Sequence, residues 1–297
     1  MFLIFGLSSC KNKKVPEVPL DDIHKGEVVI WCDEALEYVM NQQVTLFEHF
    51  HEEAHLHLVY KPEAEIVQGL LNDSIRTAII GRSLSDAERR VLMNRTALQP
   101  KEIMVARDAA ALVVSKSHSA KPWPLDSLIG ALSGAYPTQL VFDDNKSGFV
   151  RQLLALAGTN TAGKNMFALQ STDSVVRYVS QNTTAIGIIG FGTIADEDYP
   201  YAREILKLVN VLPVAVRDTV GRSVIVSATQ GDLASGKYPL QRPVNYVLCN
   251  QPERVADGFV NFLAREKAAK VFLKSGLVPA VIPERVISVA SGIEAKN

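Results

Sequence analysis

A chain of 297 residues is long enough for two domains of ordinary size. Its 31 Lys and Arg nearly cancel its 32 Asp and Glu, leaving a net charge of −1 without the basic excess of a nucleic-acid binder. A hydrophobic content of 47% excludes a disordered chain, and no apolar run approaches the roughly 18 residues that span a bilayer.

The chain opens on an apolar stretch, Met1 to Leu7, that ends in small residues and turns polar at Lys11-Asn12-Lys13-Lys14. Leu7-Ser8-Ser9-Cys10 resembles a bacterial lipobox. That resemblance implies that residues 1–10 are the remnant of a lipoprotein signal, that Cys10 is lipidated, and that contact with the membrane is through the lipid anchor only. The match lacks a positively charged start, and its apolar region is short. Residues 11–26, with Pro16 and Pro19 among mixed charges, read as a tether. Cys32 and Cys249 lie in apolar contexts and read as buried thiols, with a disulfide left open by an exported chain.

From Glu27 onward, strand-like and helix-like segments alternate, which predicts an α/β architecture. Val28 to Trp31 is a short strand, followed by a helix with Leu36, Val39, Met40, Val44, Phe47 and Phe50 on one face. Leu56 to Tyr60 and Thr77 to Ile80 predict further strands. After Gly81-Arg82-Ser83, Ser85 and Glu88 are spaced as a helix capping box. The apolar run Ala109 to Val114 suits a strand crossing between two lobes. Gln139 to Phe142 is a strand, and Asp143 to Gly148 leads into a helix that Gly158 stops. Ala185 to Gly190 is a strand, Tyr199 to Tyr201 reads as a surface loop, and Val209 to Val216 returns the chain to the first lobe. Val244 to Leu248 is a strand, and a helix follows from Pro252.

Five phrases in this order resemble the phosphate-binding proteins of bacterial ABC phosphate importers, a branch of the type II periplasmic binding proteins. They are Ala106 to Val114, Leu125 to Gly134, Ala185 to Gly190, Tyr238 to Pro243, and Gly276 to Pro279. The resemblance covers about Glu27 to Val289. It implies a two-lobed clamshell, with residues 27–111 and 213–289 forming lobe 1 and residues 112–212 forming lobe 2. It further implies a periplasmic, lipid-anchored receptor that captures phosphate or a related small oxyanion for an ABC transporter permease. No cofactor, nucleic acid or catalysis enters this reading. An anion in such a cleft is met by helix N-termini and short hydroxyl residues.

Four strand-to-helix turns are candidates for that site: Asp33-Glu34-Ala35, Glu63-Ala64, Arg82-Ser83, and Asp143 with Asn145, Ser147, Gly148 and Phe149. These turns depart from the family pattern. The first carries two carboxylates where the family has Ser, Thr and Gly. The family's Arg position is Asp143, its Thr position is Phe149, and Arg82 stands near the family's Asp. An exchanged pair, Arg82 facing Asp143 across the cleft, is one expectation, and unrelated solvated charges are the other. Two alternatives in different classes accompany the receptor. One is an envelope interaction module on the same fold with an altered pocket. The other is a zinc metallohydrolase through His51-Glu52-Glu53-Ala54-His55, a His-Glu-x-x-His motif. Against the latter, the apolar helix pattern ends near Phe50 and His55-Leu56-His57-Leu58 alternates as a strand does.

Overall fold

The computed structural model describes residues 22–119, 121–143, 148–249 and 254–281. Cys10 with its lipobox, the tether up to Asp21, Asn145 and Ser147 lie outside the described residues. The first half of the chain forms β1 (Lys25–Asp33), α1 (Glu37–Phe50), β2 (Glu53–Lys61), α2 (Glu63–Leu71), β3 (Thr77–Ile80), α3 (Asp86–Thr96), β4 (Lys101–Ser115), β5 (Trp123–Pro124), α4 (Leu125–Leu132), β6 (Gln139–Phe142) and α5 (Gly148–Leu156). The second half forms β7 (Met166–Ala168), α6 (Thr172–Gln181), β8 (Ala185–Gly190), α7 (Gly192–Ala195), α8 (Pro200–Leu208), β9 (Val209–Val211), β10 (Val214–Arg217), β11 (Ser223–Val226), α9 (Gln230–Ala234), β12 (Gln241–Leu248), α10 (Arg254–Leu263), α11 (Glu266–Lys274) and β13 (Val278–Pro279).

Local sequence explains these elements. Val28, Ile30 and Cys32 alternate into the core along β1, and α1 buries Val39, Met40, Gln43 and Phe47 at helical spacing. The capping box predicted at the start of α3 forms. Ser85 Oγ accepts from the Glu88 N–H, and the Glu88 carboxylate accepts from the Ser85 N–H at 2.7 Å. None of the described helices is long and apolar enough to cross a membrane.

The main sheet runs β2-β1-β3-β12-β4-β8-β6-β7, with β9 and β13 also paired to β4. β1 is parallel to β2 and β3, whereas β12 lies antiparallel between β3 and β4. The long strand β4 joins two cores: its first part pairs with β12, and Ala110 to Val113 pairs with β8. This is the crossing strand that the buried run Ala109 to Val114 predicts. One core gathers Ile30, Phe47, Tyr246 and Phe259, and the other Leu112, Leu140, Leu153 and Val176.

Val214, Val226, Leu233 and Leu240 pack in the second core, and β12 is the element that carries the chain back. β10 and β11 form a small sheet with β5. The two buried thiols, Cys32 and Cys249, are free.

β1, β2 and β3 end at Asp33, Lys61 and Ile80, and α1, α2 and α3 follow from that edge of the sheet. β1 is flanked by β2 and β3, so this edge is a place where strand order reverses. Open α/β sheets bind ligands at such an edge, outside the carboxyl ends of the strands.

Candidate ligand-binding cleft

At the floor of the cleft lies an arginine that sequence patterning did not single out. Arg242 of β12 is opposite Asp108 of β4 in strand register, and both side chains are almost fully buried. The Arg242 Nη2 and Nε groups donate to Asp108 Oδ2 at 3.2 and 3.3 Å, and Nη1 donates to Asp33 Oδ2 at 2.9 Å. Each carboxylate has a second donor. The Ala35 N–H reaches Asp33 Oδ1 at 3.1 Å, and the Ala109 N–H reaches Asp108 Oδ1 at 2.7 Å. The Phe149 ring covers the guanidinium, with Cζ 3.7 Å from its centroid. A side chain on Gly81 would collide with this same guanidinium, which explains the glycine at the end of β3.

Burial opposes the charge on Arg242, but Asp33, Asp108 and Glu63 outweigh it and hold the guanidinium protonated. Burial pushes the Asp108 carboxyl up, against the pull of Arg242 and the Ala109 N–H. Ions removed from water in this way persist only when paired and hydrogen-bonded.

Beside this pair lies Glu63, the first residue of α2, 1% exposed. Its Oε1 accepts from Arg82 Nε at 3.1 Å and lies 3.8 Å from Arg151 Nη1. Its Oε2 is buried, and among the described residues no donor reaches it. That oxygen packs against Gly148, the first residue of α5. A Cβ there would sit 2.5 Å from Glu63 Oε2 and 2.6 Å from Arg242 Nη1. Three guanidinium groups thus converge on one carboxylate at a helix N-terminus. Burial and the like charge of Asp33 raise the Glu63 carboxyl above its ordinary value, against Arg242, Arg82 and Arg151.

Outside the floor, a cavity of about 440 Å³ opens between the two cores. Glu34, Ala35, Glu37, Tyr38 and Asn41 line it from one side, and Asp143, Ser171, Thr172, Thr193, Tyr199 and Tyr201 from the other. Tyr38 stacks on Tyr199 at 4.4 Å and donates to Asp196 at 3.3 Å.

A model of the PBP superfamily domain matches residues 22–267. The chain belongs to the PBP superfamily. Its fold is the two-lobed type II clamshell, and solved structures of that shape share it at low identity. A candidate phosphate ABC transporter substrate-binding protein with bound phosphate, from Clostridium perfringens, aligns at 18% identity over 86% of this chain and 100% of its own, with a TM-score of 0.67. An ABC-type phosphate transport receptor from Vibrio cholerae aligns at 17% over 84% and 99%, with a TM-score of 0.65. PstS from Borrelia burgdorferi aligns at 17% over 86% and 99%, with a TM-score of 0.55. No curated protein matches significantly.

In this PBP-superfamily cleft, the residues expected from sequence divide into groups. Asp33, Glu63, Arg82, Gly148 and Phe149 meet at the floor, while Glu34, Ala35 and Asp143 line the open cavity. Ala64 and Ser83 are exposed, and the Ser83 hydroxyl accepts from Asn245 at 3.1 Å.

The exchanged pair is corrected. Arg82 is taken up by Glu63, by both oxygens of Glu88 at 2.8 Å and by the Ser83 carbonyl, and Asp143 accepts from Thr172 at 3.4 Å. The buried arginine of the floor is Arg242, on a different strand, paired with Asp33 and Asp108. The zinc motif is corrected as well. His51 ends α1 and stacks on His24, whereas Glu53 to Lys61 is strand, so the two histidines share no helix face. Tyr199 and Tyr201, expected in a surface loop, line the cavity at the start of α8.

Proposed function

We propose that this chain is a solute-binding receptor of an ABC importer, capturing a small oxyanion, phosphate first among candidates, between its two lobes. One observation carries the reading: Arg82, Arg151 and Arg242 gather around a carboxylate at the N-terminus of α5. Such a corner suits an oxyanion, because guanidinium forks match its oxygens and a helix N-terminus favours negative charge. The structural relatives named for phosphate transport support phosphate as the first ligand to test. An anion touching both lobes binds the closed form better and so draws the clamshell shut. The receptor acts by binding and not by catalysis. It sits in the periplasm, lipid-anchored through Cys10, and delivers its solute to a permease.

The test is calorimetric titration of the full chain, stripped of ligand by unfolding and refolding, with phosphate and then sulfate. Saturable one-site binding of phosphate that sulfate does not compete is the expected result. Binding of neither anion overturns the reading. A second reading would then take over, an envelope interaction module on the same fold. Phe149 favours it, since this ring lies over the arginine that a bound anion would otherwise face.

A further inference from the structure

Glu63 is an unusual group to find in a corner built for an anion. It is a carboxylate belonging to the chain itself, nearly fully buried, and one of its two oxygens lacks a donor among the described residues. Native structures rarely leave a buried polar atom without a partner, and where they do a cause is to be sought. The cause here is geometric. Glu63 is fixed at the start of α2, and its side chain reaches across to Gly148 in the other half of the cleft. Gly148 has no side chain to hinder that approach. The orphan oxygen therefore faces the N-terminus of a helix of nine residues, whose first N–H groups have no intrahelical acceptor.

We propose that Glu63 is the specificity-determining residue of the cleft, a resident anion that a solute oxyanion must displace. The inference rests on the oxyanion-receptor reading of the same site and adds how that site selects. A planar carboxylate uses the corner incompletely: Arg82 donates to one oxygen, Arg151 stops 3.8 Å away, and no donor among the described residues meets the other oxygen. A tetrahedral oxyanion presents more acceptor oxygens, in more directions, and can take up the donors that Glu63 leaves idle. Capture is then an exchange of one anion for another. Its apparent affinity is lowered by the fraction of molecules in which Glu63 holds the corner. Arg82 is not stranded when Glu63 leaves, because Glu88 binds it through two hydrogen bonds. Arg242 likewise retains Asp33 and Asp108. The corner is thus built to survive the departure of its internal occupant.

Two variants of the full chain test this, Glu63→Ala, which empties the corner, and Glu63→Gln, which keeps its volume without the charge. Each is stripped of ligand, checked for cooperative unfolding, and titrated calorimetrically with inorganic phosphate beside the unaltered chain. The expected result is that phosphate binds either variant at least about tenfold more tightly than the unaltered chain. Should Glu63→Ala fail to fold, Glu63→Gln alone decides, tighter binding supporting the proposal and unchanged binding overturning it. If phosphate binds the unaltered chain and the variants equally, or the variants more weakly, the displacement mechanism is overturned and the receptor reading stands. If it binds only the variants, Glu63 shuts phosphate out instead of yielding to it, and displacement by phosphate is overturned. If it binds none of them, both fail.

Discussion

Carboxylates crowd both parts of the cleft, and the chain treats them in opposite ways. At the floor, Asp33, Asp108 and Glu63 are nearly inaccessible to water, and each is set against a guanidinium from another part of the chain. In the cavity, Glu34 and Glu37 are exposed, and the space around them is walled by hydroxyls and tyrosines. Charges left in water interact weakly, whereas those at the floor have exchanged hydration for partners and cannot lose one cheaply. The difference teaches where the chain's stability and the proposed anion corner coincide. They meet at the floor, where the same buried side chains pair with one another and surround Glu63.

The strongest way to break that contrast is to remove the floor's shared cation. Arg242→Met keeps much of the side-chain volume but leaves Asp33 and Asp108 buried without their guanidinium. The expected loss is about 3–5 kcal/mol in urea unfolding, the usual cost of a buried ion stripped of its partner. An unfolding midpoint within error of the unaltered chain would mean that water already reaches these carboxylates.

A smaller change tests how tightly the two facing edges meet. Gly148→Ala places a methyl group against both Glu63 Oε2 and Arg242 Nη1, and should cost about 1–3 kcal/mol by overpacking. In a Glu63→Ala background one of those two obstacles is gone, so the same substitution should cost measurably less. A double-mutant cycle by urea unfolding reads that coupling, and strict additivity would mean that the two groups do not touch.

How much of this was legible in the sequence follows from the kind of signal each residue left. Alternation and helical spacing marked β1, α1 and the capping box, because burial of one face imposes a period on apolar residues. The crossing strand was legible for the same reason, as a run buried on both sides. Asp33, Glu63 and Arg82 were legible as candidates because they sit in strand-to-helix turns. Their partners were not, since pairing depends on which strands lie side by side. Arg242 and Asp108 left a faint signal of their own. Arg242 shares its strand face with buried Val244 and Tyr246, and Asp108 falls between buried Ala106 and Ala110 on β4. A charge at a core-facing position of a strand demands an opposite charge nearby, but only the antiparallel register of β4 and β12 says which one. The tyrosines at the start of α8 escaped because their tips are polar and half exposed, as they would be in a loop.

The subtlest way to sharpen the comparison uses two carboxylates on one arginine. Glu63 and Glu88 both accept from Arg82, yet their acidities move in opposite directions. For Glu88, burial would raise the carboxyl, but the double hydrogen bond from Arg82 and the Ser85 N–H outweigh it and hold it at about 2, below the ordinary 4.5. A carboxyl depressed in the folded chain stabilises it above 4.5, and that contribution is lost as the pH falls from 4.5 through 2. For Glu63, burial and Asp33 prevail and the carboxyl is raised above 4.5. Its contribution is fully present below 4.5 and is lost as the pH rises through the raised value. Urea unfolding in phosphate-free buffer across this range should therefore show two opposite trends. On acidification from neutral pH, the unaltered chain should gain stability relative to Glu63→Gln, then below 4.5 lose stability relative to Glu88→Gln. Parallel curves for all three chains would mean that Arg82 binds the two carboxylates alike and that the environment of Glu63 differs little from water. Opposed slopes would instead show that a single guanidinium bridges a nearly fully buried carboxylate, Glu63, and a half-buried one, Glu88.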